Sequence, residues 1–229
     1  MRRTQGFTLV EMLVSMVLLT MVLLIATRAY SLFSERWNGR LGNFNQSMAT
    51  AKRLILVQEA LTSIVSYVVT DENKEAKLYF EGNRNGFVAV TLRSLFNPEV
   101  AAIIRFQVIQ NPDFTYQLVY QESLMREQLL IYAKQAITFT DPIVLFDDLS
   151  AIDFQYFGWP SKESKYWDYE NTTNEREPKA WFNEYNSLDI KIQPEKIKVT
   201  FSSQEGSYSL LTQLTSSTPN MLYRYDVQE

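Results

Sequence analysis

Between Phe7 and Ala26 lie 20 residues, of which 16 are apolar; the exceptions are Thr8, Glu11, Ser15 and Thr20. A helix of that length rises about 1.5 Å per residue, roughly 30 Å in all, the thickness of a bilayer's hydrocarbon core. Arg2 and Arg3 precede the run and favour a cytoplasmic N-terminus. The rest of the chain then lies beyond the membrane, which in a bacterium means the periplasm or the outer surface.

Three readings of this run compete. A cleaved secretory signal has an apolar region of about 7–15 residues followed by small residues before the cut. Here the run is longer, and Ala26-Thr27-Arg28-Ala29 lacks a good Ala-x-Ala. A plain anchor explains the length but not Glu11, because a carboxylate inside a span costs about 2.5–3.5 kcal/mol on insertion scales. The third reading gives the carboxylate a task. A cut between Gly6 and Phe7 creates an α-amino group on Phe7, which a neighbouring subunit's Glu11 would neutralise in an apolar setting. Against it stands a Glu11 near the interface, protonated or solvated.

The string Gly6-Phe7-Thr8-Leu9-Val10-Glu11-Met12-Leu13-Val14, behind a short basic leader, resembles the type IV prepilin N-terminal signature. That resemblance, to the type IV pilin and type II secretion pseudopilin superfamily, implies cleavage after Gly6 by the prepilin peptidase and N-methylation of Phe7. It also implies that Glu11 guides the subunit into a filament at the inner-membrane assembly platform. The implied fold is α+β and pilin-like: a long N-terminal helix, membrane-spanning in its first half, packed on an antiparallel β-rich head.

The residues beyond the run agree with that outline. Leu41, Phe44, Met48, Ala51, Ile55, Leu61, Val65 and Val68 recur mostly at steps of three and four, which predicts one apolar helix face packed on a sheet. The helix is expected from about Phe7 to Val69. Gly39-Arg40-Leu41-Gly42 is either a bend or a tolerated stretch of straight helix. From Lys77 the period becomes two. Alternation marks strands at Phe114–Tyr120, Ile152–Tyr156, Leu188–Gln193 and Ile197–Phe201, with further candidates at Leu78–Glu81, Phe87–Leu92, Ile103–Ile109, Ala136–Phe139 and Tyr208–Leu214. About nine strands suggests two sheets. The expected divisions are a leader at 1–6, a transmembrane and filament-core helix at 7–32, an amphipathic helix stem at 33–69, and a periplasmic globular head at 70–229.

Residues 158–187 form the longest expected irregular stretch, carrying Trp159, Trp167 and Trp181 with Tyr166 and Tyr169. These rings either anchor a protein partner or fold back to cap a sheet edge. Phe154-x-Tyr156, the tryptophans, and Pro194-Glu195-Lys196-Ile197-Lys198-Val199 loosely resemble the head of J-type minor pseudopilins. That resemblance implies a tip complex with I-type and K-type minor pseudopilins, above the major pseudopilin, in the periplasm. A minor pilin of a type IV or mannose-sensitive pilus is the alternative.

Other chemistries find little support. The 229 residues contain no cysteine and no histidine, which excludes disulfides, thiolate nucleophiles and imidazole ligands or bases. A net charge of −4 gives no basic excess for nucleic acid, and no glycine-rich phosphate loop occurs. Asp147-Asp148, Asp168 to Glu170, and Glu175 with Glu177 lack the spacing of a calcium loop. Neither a catalytic residue, a metal site nor a cofactor is expected, and a membrane-anchored enzyme is the remaining class. Gly6→Ala should leave the leader attached, which an intact-mass measurement on protein from the native host checks; mature-sized protein from that variant would sink the cleavage assignment.

Overall fold

The computed structural model describes residues 8–166, 176–203 and 206–214; within its first helix the side chains of 38–43, 45 and 46 are not described. In chain order the elements are α1 (Leu9–Thr62), β1 (Ile64–Val65), β2 (Val68–Thr70), β3 (Ala76–Leu78), β4 (Phe80–Asn83), β5 (Gly86–Thr91), β6 (Ala102–Gln110), β7 (Tyr116–Leu124), β8 (Ile143–Leu149), β9 (Ala151–Gly158), α2 (Lys162–Lys165), β10 (Ala180–Phe182), β11 (Tyr185–Asn186), α3 (Ser187–Ile190), β12 (Lys196–Ser203) and β13 (Gly206–Gln213). The chain divides into two units, residues 1–52 and 53–229.

In the first unit α1 is unbroken through Gly39 and Gly42. The stretch Leu9–Trp37 is long and apolar enough to cross a membrane. Its hydroxyls turn back onto the helix: Ser15 donates to the Glu11 carbonyl, Thr20 to that of Val17 and Thr27 to that of Leu23. Such bonds satisfy these three hydroxyls without water.

The second unit begins with the last turns of α1. The helix ends at Thr62, not near Val69 as its periodicity suggests. Ile64, Val65, Tyr67, Val68, Val69 and Thr70 are β-branched or aromatic and prefer extended backbone, and they supply β1 and β2. Thr62 and Ser63 hydroxyls cap the carbonyls of Gln58 and Glu59. Within this unit the predicted stripe is only partly used: Leu61 is buried but Ile55 is exposed, and Val57 and Ala60, which lie outside the predicted stripe, are buried instead.

A seven-stranded antiparallel sheet has the order β11-β4-β5-β6-β7-β8, with β1 beside β5; a four-stranded sheet has the order β10-β9-β12-β13. The two face each other across a core that also takes in the end of α1. Ring pairs span the gap: Phe80 with Tyr156 at 5.6 Å between centroids, Phe87 with Phe154 at 5.8 Å, and Phe146 with Phe201 at 4.8 Å. The far side of β5 and β6 is covered by a smaller cluster of Val69, Tyr79, Val90, Ile103 and Leu130. Those central strands are therefore buried on both faces.

Tyr156 joins the sheets by hydrogen bonds as well. Its fully buried hydroxyl lies 2.9 Å from the Asn83 carbonyl and 2.7 Å from that of Gly86, donating into the β4–β5 turn. Burial pushes the phenol's pKa well above its ordinary value. Gly82 makes room for the ring, and Gly86 lets the turn pass close to the backbone of β6. A Cβ on Gly82 would fall 2.4 Å from the Tyr156 ring, and one on Gly86, at φ 140°, would fall 2.0 Å from the Phe106 carbonyl oxygen.

Glu122 on β7 is 1% exposed. Its carboxylate accepts from the Tyr120 hydroxyl at 2.6 Å, from the Leu95 N–H at 3.1 Å and from the Ser94 hydroxyl. Ser94 in turn accepts from the N–H groups of Phe96 and Asn97. The irregular segment between β5 and β6 is thereby fastened to a buried anion.

Other expected elements moved. Leu188–Gln193 is not a strand: Asn186 caps α3 by accepting from Leu188 N–H at 3.0 Å, and Lys191 closes it in the left-handed region. Local capping overrides the alternation. Ala136–Phe139 forms no strand either. Gln128 bonds the Ala136 carbonyl and the Thr138 N–H with its side-chain amide, and Phe139 lies under the Arg105 guanidinium at 4.2 Å. Tyr156→Phe should cost about 1–2 kcal/mol in urea unfolding of the full chain in detergent, because the buried Gly86 carbonyl and the part-buried Asn83 carbonyl lose a donor. A loss near zero would show that the hydroxyl does not tie the sheets.

Candidate assembly interface

Gly6, Phe7, Trp167 and Tyr169 lie outside the described residues; Glu11, Trp159, Tyr166 and Trp181 lie within them.

Glu11 sits in the first turn of α1. Its carboxylate accepts from the Thr8 N–H and the Thr8 hydroxyl, each at 3.0 Å, while the Thr8 hydroxyl oxygen accepts from the Glu11 N–H at 3.3 Å. The Thr8 carbonyl takes the first intrahelical bond, from Met12 N–H at 3.2 Å. This is a reciprocal capping box, in which threonine and the glutamate three residues on satisfy each other's otherwise orphaned N–H groups. The Thr-x-x-Glu spacing is the sequence signal for this cap, which the charge of Glu11 alone does not disclose. In a single chain the carboxylate therefore has a partner before any neighbour arrives, which lowers the cost of holding it in an apolar run.

The described residues of the aromatic segment form short regular elements. α2 is capped by Ser161, whose hydroxyl accepts from Ser164 N–H at 3.1 Å. β10 pairs with β9, setting Trp181 beside Phe157, and β11 pairs with β4. Trp181 stacks on Phe157 at 5.2 Å and carries the Lys198 ammonium 4.8 Å from its ring centre. Lys196 lies 5.4 Å from the Phe157 ring. Trp159 has the Arg176 guanidinium at 4.1 Å and the Lys179 ammonium at 5.2 Å. Arg176 is itself tied to the Ser164 carbonyl at 3.0 Å, and Lys179 to Glu195 at 2.7 Å.

Trp181 thus lies on the outer face of the four-stranded sheet, as the capping alternative has it, whereas Trp159 is covered by Arg176 and Lys179. Trp181 nevertheless stays 40% exposed, and Tyr166, at the end of α2, is 46% exposed. Burial lowers the Lys165 pKa, with Lys179 adding to the effect and Glu195 opposing it. The result is a face of aromatic rings carrying cations, on a chain of net negative charge.

Residues 1–27 match the family model described as a prokaryotic N-terminal methylation motif. A comparison with curated proteins found no match. The chain therefore has a type IV pilin-like or pseudopilin-like N-terminus. A long apolar N-terminal helix followed by an antiparallel, several-sheeted head gives it a pilin-like α+β fold.

Trp181→Ala removes a half-buried ring stacked on Phe157, and should cost about 1–2 kcal/mol in urea unfolding. An unchanged midpoint would show that the ring does nothing for the folded head.

Proposed function

We propose that this protein is a structural subunit drawn from the bacterial inner membrane into a short filament, acting as a J-type-like minor pseudopilin at the tip of a type II secretion pseudopilus. The observation that carries the reading is the joining, in one chain, of a prepilin-type N-terminus over residues 1–27 with a pilin-like α+β fold. Cleavage after Gly6 frees an amine on Phe7. In the filament, Glu11 of one subunit meets that amine on its neighbour, so two charges costly in an apolar core neutralise each other and set the register between subunits. The head stays in the periplasm and makes the tip contacts with I-type and K-type minor pseudopilins, above the major pseudopilin. A minor pilin of a surface pilus would use the same N-terminus. Protein export and piliation, measured in a deletion strain of the native host, separate the two.

The mature protein should begin at a methylated Phe7. Glu11→Leu should leave membrane insertion intact and lower the subunit's incorporation into sheared filaments at least tenfold. Export or piliation at wild-type level in that variant would show that the carboxylate is dispensable here.

A further inference from the structure

The β6–β7 hairpin turns through Asn111-Pro112-Asp113-Phe114-Thr115. Phe114 N–H donates to the Asn111 carbonyl at 3.1 Å, and Asn111 N–H to the Thr115 carbonyl at 2.8 Å. Phe114 has φ 65°. This is a type I turn closed by one left-handed residue, a slot that suits glycine, asparagine or aspartate because a Cβ there crowds the backbone. An aromatic ring is a poor choice for it. Burial gives nothing back: Phe114 is 79% exposed, the most exposed large apolar side chain among the described residues of the head.

The same chain builds that turn a second time without an aromatic. In Asp71–Glu75 the matching bonds are 3.1 and 3.0 Å, and the left-handed residue, also at φ 65°, is the exposed Lys74. The backbone therefore does not ask for phenylalanine. Residue choices that cost folding energy and return none to the fold cluster where a chain meets something else.

The surroundings of the ring are acidic. The Asn111 side-chain amide donates to Asp147 at 2.9 Å, which brings the end of β8 against the turn. Asp113, Asp147 and Asp148 are all exposed. None of the three makes an ion pair among the described residues, and no group there is arranged to hold a metal ion. An exposed ring on a turn flanked by carboxylates that make no ion pair complements an apolar hollow edged with lysine or arginine, and it is repelled by an anionic lipid surface.

We propose that Phe114 is a docking anchor that seats in an apolar, basic-edged pocket on a neighbouring subunit of the filament. The proposal rests on the pilin reading above. The anchor supplies the buried contact, and Asp113, Asp147 and Asp148 steer and orient it.

The test uses the full chain, purified in detergent for melting and expressed in the native host for filament shearing. Phe114→Gly relieves the left-handed strain, so its melting temperature should rise by roughly 2 °C. Its incorporation into sheared filaments should fall at least tenfold. Phe114→Tyr should keep incorporation near wild type. Asp148→Asn, which removes the charge and keeps a residue suited to the left-handed backbone at φ 56°, should reduce incorporation with melting unchanged. Wild-type incorporation of Phe114→Gly overturns the anchor, as does a lowered melting temperature, which would place the ring in the service of the fold. If Glu11→Leu blocks incorporation and Phe114→Gly does not, the anchor alone fails. If the wild-type chain is never processed or found in filaments, the pilin reading fails and takes the anchor with it.

Discussion

The head depends on one tyrosine reaching across it. Tyr156 leaves the four-stranded sheet, packs edge-on against Phe80 and donates to the carbonyls at the β4–β5 turn. Phe154 N–H adds a bond to the Arg84 carbonyl at 3.1 Å in the same turn. Apolar side chains alone let two sheets slide, because the hydrophobic effect has no direction. Hydrogen bonds to specific carbonyls set a register. The approach works only because Gly82 lacks a side chain, while Gly86 lets the turn itself pass close to the Phe106 carbonyl. Without cysteine, nothing covalent backs it up.

The N-terminus poses a different physical problem. Its single early carboxylate closes a capping box in the isolated chain, while the proposed filament asks it to meet a neighbour's amine. These tasks draw on the same oxygen atoms. One oxygen of Glu11, Oε2, already accepts both bonds from Thr8, which leaves Oε1 for a second partner. A carboxylate can serve both at once, since it has about four lone-pair sites. Sharing would spare the helix end from losing its cap at the moment of assembly.

Much of the architecture was legible because burial alternates strictly. β9 and β12 bury every second residue, and both were readable from Ile152, Phe154 and Tyr156 and from Ile197, Val199 and Phe201. Reading failed where side chains bond to nearby backbone. Asn186 turned an alternating stretch into α3, and Gln128 held residues 136–138 without a ladder. β8 was not anticipated, because its apolar run Ile143–Phe146 is continuous rather than alternating. Phe114 fitted an alternating pattern yet sits in the turn. At the N-terminus the motif identified Glu11 at once, while its tie to Thr8 required geometry. Trp159 and Trp181 stand out in the sequence, but in the structure they stack on different partners. What their sequence did not disclose was that β10 pairs with β9 and turns one of them into a strand residue.

Glu122 bears on how the head opens. The segment between β5 and β6 has little regular structure, and such segments commonly open ahead of the rest. Here its release would strip a buried carboxylate of the Ser94 and Leu95 donors while Tyr120 stayed behind in the sheet. A charge left that way in a dry interior is costly. The cheaper route is for the segment to come away together with β7. Susceptibility to proteases at this loop would then follow the unfolding of the whole sheet, although its irregular backbone alone would mark it as the easiest place to cut.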